Sequence, residues 1–263
     1  MRILVIGGGI AARRYVEPLL WTQHEIDVSG IGVVGASRKL AEEFGLCYYP
    51  VTSLDKEQID KYGMIIICLS LEKKYEVISR LINDLEYKNA IIIEKPLSIL
   101  EDEIEKYREI LYNVEKCAIV CQRNFDIEHY SIEKDERYKI KWFSINNELI
   151  SSIIHMLPHL LSWLMIEIGN DIELEQDGDD LKGVINGKEL VIRFIRSKEV
   201  GIEINGKRYS SPNYRILNCK IVEAVNQFQC EDSRKNIDIA LQVSKLISKL
   251  LEGKDYENRR IKI

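Results

Sequence analysis

A lysine placed at the end of a buried strand is the first residue of this chain whose surroundings suggest chemistry. Ala90-Ile91-Ile92-Ile93 is an apolar, mostly β-branched run that stops at Glu94-Lys95-Pro96-Leu97. Proline cannot donate to a sheet ladder, so the strand must end there, leaving Glu94 and Lys95 at its carboxyl end. In open α/β sheets ligands bind at that edge. An amine held there can exchange a proton with a reacting group while a hydride moves, and neighbouring charges can lower its pKa. The plainer alternative is a solvated charge at a strand end. Lys95-Pro96 is also a candidate cis peptide, whose fixed kink would aim the amine.

Ser151, His155 and His159 recur at intervals of four. On a helix that spacing puts all three on one face, where they could line a wall of a substrate pocket. Two histidines four apart can also bind a metal. Here no Glu follows the first one and no third ligand is evident, so no metal site is expected. Pro158 should kink the helix and free the Ile154 carbonyl. Gln122, Arg123 and Asn124 follow an apolar run and are either substrate-facing or part of a hydrated linker; Asn124 is carried as a candidate substrate contact.

A phosphate cradle stands near the start. Arg2 to Ile6 reads as a short buried strand, followed at once by Gly7-Gly8-Gly9-Ile10-Ala11-Ala12 and an amphipathic stretch from Arg13 to Trp21. Gly7 permits the tight turn, Gly9 lets backbone approach a pyrophosphate, and Ala12 lets helix and strand pack closely. The helix start offers free N–H groups and the positive end of its dipole to the phosphates. The second strand is expected over Ile31 to Gly35, ending in Ala36-Ser37-Arg38-Lys39. An NAD site usually has a carboxylate at that strand end for the ribose hydroxyls. None is present, and Asp27 lies too early. Ser37 and Arg38 instead offer a hydroxyl and a guanidinium suited to a 2′-phosphate, so NADP is expected over NAD.

The elements that would carry these residues alternate. Strands are expected at 46–49, 64–69, 90–94 and 117–121, with helices at 72–85 and 99–112 between them. That alternation means a parallel, doubly wound sheet. Beyond it come a half-exposed strand over 138–146, an apolar helix from 149 to 168, and five short segments at 172–176, 181–186, 189–195, 201–205 and 207–209. Asp177-Gly178, Asn186-Gly187 and Asn205-Gly206 read as hairpin turns that make these an antiparallel meander. Two helices, 217–229 and 234–251, close the pattern, with Gly253 as a stop. The expected organisation is α/β: a Rossmann dinucleotide-binding domain over 1–123, then an α+β domain over 124–263 with an open, mostly antiparallel sheet for substrate binding and oligomerisation.

Composition excludes several roles. The net charge of -5 argues against binding nucleic acid or an anionic membrane surface. No apolar run reaches the ~20 residues needed to span a bilayer. The chain passes from Met1-Arg2 straight into a strand with no cleavage site, so a cytoplasmic protein is expected. Its six cysteines include no Cys-x-x-Cys pair and read as free thiols in a reducing compartment.

Taken in order, GGGIAA at 7–12, ASRKLAEEFG at 36–45, IIICLS at 65–70, IIIEKPLS at 91–98 and the antiparallel second half resemble the Gfo/Idh/MocA oxidoreductases, relatives of glucose-fructose oxidoreductase and inositol dehydrogenase. The resemblance covers nearly the whole chain. It implies a cofactor held by Gly7, Gly9, Ile10, Ala11, Ala12, Ser37, Arg38, Leu69, Ser70, Glu94 and Lys95. It makes Lys95 the proton carrier beside the nicotinamide, with His155 matching the family's histidine. Ser151 and Pro158 stand where the family has aspartates, which weakens an Asp-supported histidine base. Tyr75 stands where many relatives have a histidine, and reads as packing. The resemblance implies a small-molecule substrate, first a hydroxyl/ketone couple on a sugar-like molecule, and a homo-oligomer, dimer or tetramer. An imine reductase like the thiazolinyl imide reductases, which needs only a proton donor, is the second expectation. A non-catalytic NADP-binding sensor or partner subunit is the third.

Overall fold

Residues 1–33, 35–120, 135–144, 149–199, 201–210 and 214–252 are described by the computed structural model. Asn124, its neighbours Gln122 and Arg123, and Gly253 lie outside the described residues.

Six strands make the first sheet: β1 (Arg2–Ile6), β2 (Glu25–Gly30), β3 (Cys47–Pro50), β4 (Met64–Ile67), β5 (Ala90–Glu94) and β6 (Lys116–Val120). All pair in parallel, in the order β3-β2-β1-β4-β5-β6. This is the doubly wound order whose direction reverses between β1 and β4, opening a crevice at the carboxyl ends of those strands. Alternate residues serve opposite faces. Leu4, Ile6, Ile65, Ile67, Ile91 and Ile93 pack on one side with α4 (Leu71–Ser79) and α5 (Glu101–Leu111). Ile3, Val5, Met64, Ile66 and Ile92 pack on the other, with α1 (Ile10–Leu19) and α2 (Ala36–Phe44). Because both faces are covered, strands read as unbroken apolar runs, and each buried Ile contributes about 1.5–3 kcal/mol.

β2 departs from expectation: it spans Glu25–Gly30, ahead of the predicted 31–35. Asp27 sits mid-strand and breaks its apolar run. It is buried because Arg2 Nε donates to it at 2.8 Å and the Tyr62 hydroxyl donates at 2.8 Å. The apolar Ile31 and Val33 that suggested a strand are exposed beyond its end.

The second sheet runs β12-β11-β7-β10-β9-β8. Its strands are β7 (Arg137–Ser144), β8 (Ile172–Asp177), β9 (Asp180–Ile185), β10 (Lys188–Arg196), β11 (Gly201–Ile204) and β12 (Lys207–Ser210). Asn186-Gly187 and Asn205-Gly206 adopt positive φ in two-residue hairpin turns, as their residue types demand. The sheet is not a pure meander, because β7 inserts between β10 and β11 and pairs with β10 in parallel.

The predicted 149–168 helix is two helices, α6 (Leu149–His155) and α7 (Leu157–Glu167), bent by 51°. Pro158 lies in the first turn of α7, where its missing N–H costs nothing. Among the described residues no single helix is long and apolar enough to cross a membrane. The last two helices return to the first sheet. Leu217, Ile221, Val222 and Val225 of α8 (Tyr214–Asn226) join its α1 face. α9 (Cys230–Leu251) divides its side chains: Ile237 and Leu241 pack into the first sheet's core, Ile239, Val243 and Ile247 into the second's.

Candidate active site

The glycine loop leaves β1 at the crevice, and each glycine there has a different reason. A Cβ on Gly7, whose φ is +134°, would stand 2.3 Å from the Cys68 carbonyl oxygen, so the turn requires glycine. A Cβ on Gly8 would collide with the start of α2, 2.1 Å from the Ser37 nitrogen. At Gly9 it would meet nothing within 4 Å. That open space lies at the N-terminus of α1, which has no side-chain cap and no acidic residue in its first turn. Its N–H groups are thus available to an anion, and a pyrophosphate fits. Ile10, 61% exposed, borders the opening, Ala11 is half-buried beside it, and Ala12 is fully buried against the sheet. Leu69 and Ser70 follow β4 into the same crevice, Ser70 capping α4 by position but with no side-chain bond.

At the end of β2 the described residues bring no carboxylate to the ribose position, since Asp27 is turned into its bonds with Arg2 and Tyr62. Ser37 is half-buried against the Gly30 backbone. Arg38 is exposed in the first turn of α2, where Nε donates to Glu42 at 2.9 Å and a terminal nitrogen to the Val33 carbonyl at 3.4 Å. Glu42 therefore holds the guanidinium that a 2′-phosphate would need.

β5 delivers Glu94 and Lys95 beside β4, and the Lys95-Pro96 bond is cis, as the sequence suggested. Lys95 Nζ donates to the backbone carbonyl of His155 across the boundary between the two sheets. That acceptor exists because the helix breaks. In a continuous helix the His159 amide would take the His155 carbonyl; instead it bonds to Met156 O at 3.1 Å. Pro158 has no N–H to offer the Ile154 carbonyl, as expected, and the break leaves the next carbonyl, that of His155, to Lys95. The break also separates the predicted Ser151-His155-His159 face. Ser151 is buried on α6, whereas His159 on α7 stacks against Trp142 with ring centroids 6.5 Å apart.

Charge in the crevice is concentrated. Burial pushes the Glu94 carboxyl up, against the pull of Lys95 and Lys74. Burial, then Glu94, push the Tyr15 phenol and the Cys68 thiol well up. Burial, with Lys95 and Lys74 nearby, lowers His155 to about 4, so its imidazole is neutral at physiological pH. Its buried Nε2 has no hydrogen-bond partner among the described residues. Tyr75 packs edge-on against Tyr107, centroids 5.2 Å apart. Among the described residues no cluster of three His, Cys, Asp or Glu is placed to hold a metal.

Lys74 belongs to the site although its sequence context hides it. It is 1% exposed on α4, and its Nζ donates to the carbonyls on both sides of Lys95, Glu94 O at 2.7 Å and Pro96 O. In Leu71-Glu-Lys-Lys-Tyr-Glu-Val-Ile78 a fourth charge reads as surface. Position 74 nevertheless shares the helix face of Leu71 and Ile78, and a lysine on an apolar face was the available signal.

Residues 1–130 match the family model GFO_IDH_MocA, described as an oxidoreductase family with an NAD-binding Rossmann fold. Over those 130 residues, the chain is a Gfo/Idh/MocA Rossmann domain. Solved structures share the fold of the whole molecule. A myo-inositol dehydrogenase from Corynebacterium glutamicum superposes with a TM-score of 0.71 at 14% identity, covering 96% of each chain. An apo scyllo-inositol dehydrogenase from Lactobacillus casei gives 0.68 at 14% identity, over 96% of this chain and 95% of that one. A UDP-N-acetylglucosamine 3-dehydrogenase from Acidithiobacillus ferrooxidans gives 0.67 at 14%, over 96% and 99%. No curated protein matches by sequence. The Gfo/Idh/MocA Rossmann domain and the open-sheet half meet at Lys95 and His155.

Proposed function

We propose that the chain is an NADP(H)-dependent oxidoreductase that passes a hydride between the nicotinamide and a carbon of a small metabolite, first a hydroxyl/ketone couple on a sugar-like molecule. The observation that carries this reading is the position of Lys95. It ends a strand at the dinucleotide crevice and is held across the domain boundary by a carbonyl of the α6–α7 break. Bound NADP(H) supplies the hydride or receives it. The chain's residues do the rest: the Gly9 opening and the α1 N-terminus hold the pyrophosphate, and Lys95 gives the substrate heteroatom its proton or takes it. Neutral His155 hydrogen-bonds to the substrate. The inositol and nucleotide-sugar dehydrogenases that share the fold favour a polyol-like substrate. The exposed Arg38, with no carboxylate at the β2 end among the described residues, favours NADP over NAD. The active form in this reading is a cytoplasmic homo-oligomer, dimer or tetramer.

One observation favours a second reading, reduction of a C=N bond. Among the described residues His155 has no carboxylate partner to make it a base, and Ser151 is buried where an aspartate would stand. Imine reduction needs a donor and no such base. The deciding experiment follows NADP(H) absorbance against panels of polyols, nucleotide sugars and cyclic imines, with Lys95→Met as control. Turnover of a polyol that Lys95→Met abolishes is the expected result. Turnover of imines alone establishes the second reading. Tight NADPH binding without turnover of any panel leaves a sensor.

A further inference from the structure

Lysine is costly to bury as an ammonium unless its donors are engaged and an anion is near. Lys74 is buried and engages the backbone on either side of Lys95, at Glu94 O and Pro96 O. We propose that Lys74 is a positioning residue: its ammonium ties both flanks of Lys95 into one rigid turn and sets a second positive charge beside the proton-carrying amine. This rests on the reading of Lys95 as the proton carrier.

Three elements besides α4 face Lys74. β5 ends at Glu94 and leads to Lys95, Cys68 follows β4, and α6 presents His155; Tyr15 and Arg14 of α1 lie beyond, against Glu94. Burial leads in lowering the Lys74 pKa to about 8, with Lys95 acting the same way and Glu94 opposing. Lys74 therefore remains charged throughout the range in which a histidine titrates. A neutral residue of similar volume would keep the packing yet lose both carbonyl bonds and the charge. The arrangement is that of an outer group orienting a reactive one: Lys95 swings on a four-carbon stem, and fixing the two peptides it hangs from narrows where its amine can go.

Histidine titration by NMR, in wild type, Lys74→Met and Lys74→Arg, tests this without cofactor or substrate; His155→Gln assigns the signal. Removing the charge in Lys74→Met should raise the His155 pKa by on the order of half a unit or more. Lys74→Arg, which keeps charge and donors, should leave it at the wild-type value. An unshifted His155 in folded Lys74→Met overturns the proposal, as does an equal shift in both variants. If Lys74→Met does not fold, nitrogen-15 lysine spectra of the wild type decide: a protected ammonium signal below pH 8, lost in Lys74→Arg, is expected, and its absence overturns the proposal. Because no NADP(H) enters either measurement, a chain that binds none refutes the oxidoreductase reading and leaves this result standing.

Discussion

His155 illustrates how one buried side chain sets both chemistry and acid tolerance. Its folded pKa of about 4 lies below the ordinary 6.5, mainly through burial. Between those values the unfolded chain binds a proton that the folded chain refuses, so stability falls as pH drops from about 6.5 to about 4. His155→Gln should remove that part of the acid lability, seen as a flatter melting temperature across the window; an unchanged slope would show that other groups cause it. Lys74 acts with the same sign in an alkaline window. Its folded pKa of about 8 lies below the ordinary 10.5, so stability rises with pH between them as the unfolded chain alone stays protonated. Urea midpoints from pH 8 to 10.5 should climb in wild type and stay level in Lys74→Met. Arg38 carries the cofactor prediction. Arg38→Ala should weaken NADPH far more than NADH, and equal weakening would sink the 2′-phosphate assignment. Glu42→Gln frees the guanidinium from an exposed ion pair and should tighten NADPH about two- to fivefold at low salt, an effect that salt erases.

At the scale of elements, what could be read from the sequence follows from how each element is satisfied. β4 and β5 are covered on both faces, so their isoleucine runs announce them, and the Asn-Gly turns announce the hairpins because only such residues accept positive φ in pairs. The position of β2 is hidden because its aspartate is buried by partners from β1 and from Tyr62, contacts distant in sequence. The parallel β7–β10 pairing is a matter of chain path that no local pattern encodes. Lys95 was legible because a proline fixes the end of its strand. Its contact with His155 was not, since it depends on where the α6–α7 break falls. That break can be probed directly. Pro158→Ala restores an amide to the first turn of α7 and favours a continuous helix, in which the His159 amide competes with Lys95 for the His155 carbonyl. Slower hydrogen exchange at His159 and turnover reduced on the order of tenfold are expected. Unchanged exchange with full turnover would show that the break does not depend on the proline.

Across the whole molecule, α9 couples the sheet that carries the cofactor site to the sheet that carries α6. Leu241 is fully buried in the first core and Ile247 in the second, less than two turns apart on one helix. Asn236 adds a polar tie, its side-chain oxygen accepting from the Ile119 amide at 2.7 Å at the end of β6. A helix shared in this way makes local opening of one sheet cost contacts in the other, which holds Lys95 and the His155 carbonyl in register. Leu241→Ala and Ile247→Ala should each destabilise the fold by about 2–5 kcal/mol. If the coupling is real, each substitution raises global hydrogen exchange equally in the Ile91–Ile93 and Leu190–Ile192 amides, and calorimetry shows a single transition. Exchange that quickens only in the sheet next to the substituted residue would mean that the halves unfold independently. The site at their junction would then depend on the bound cofactor, rather than on α9, to keep it assembled.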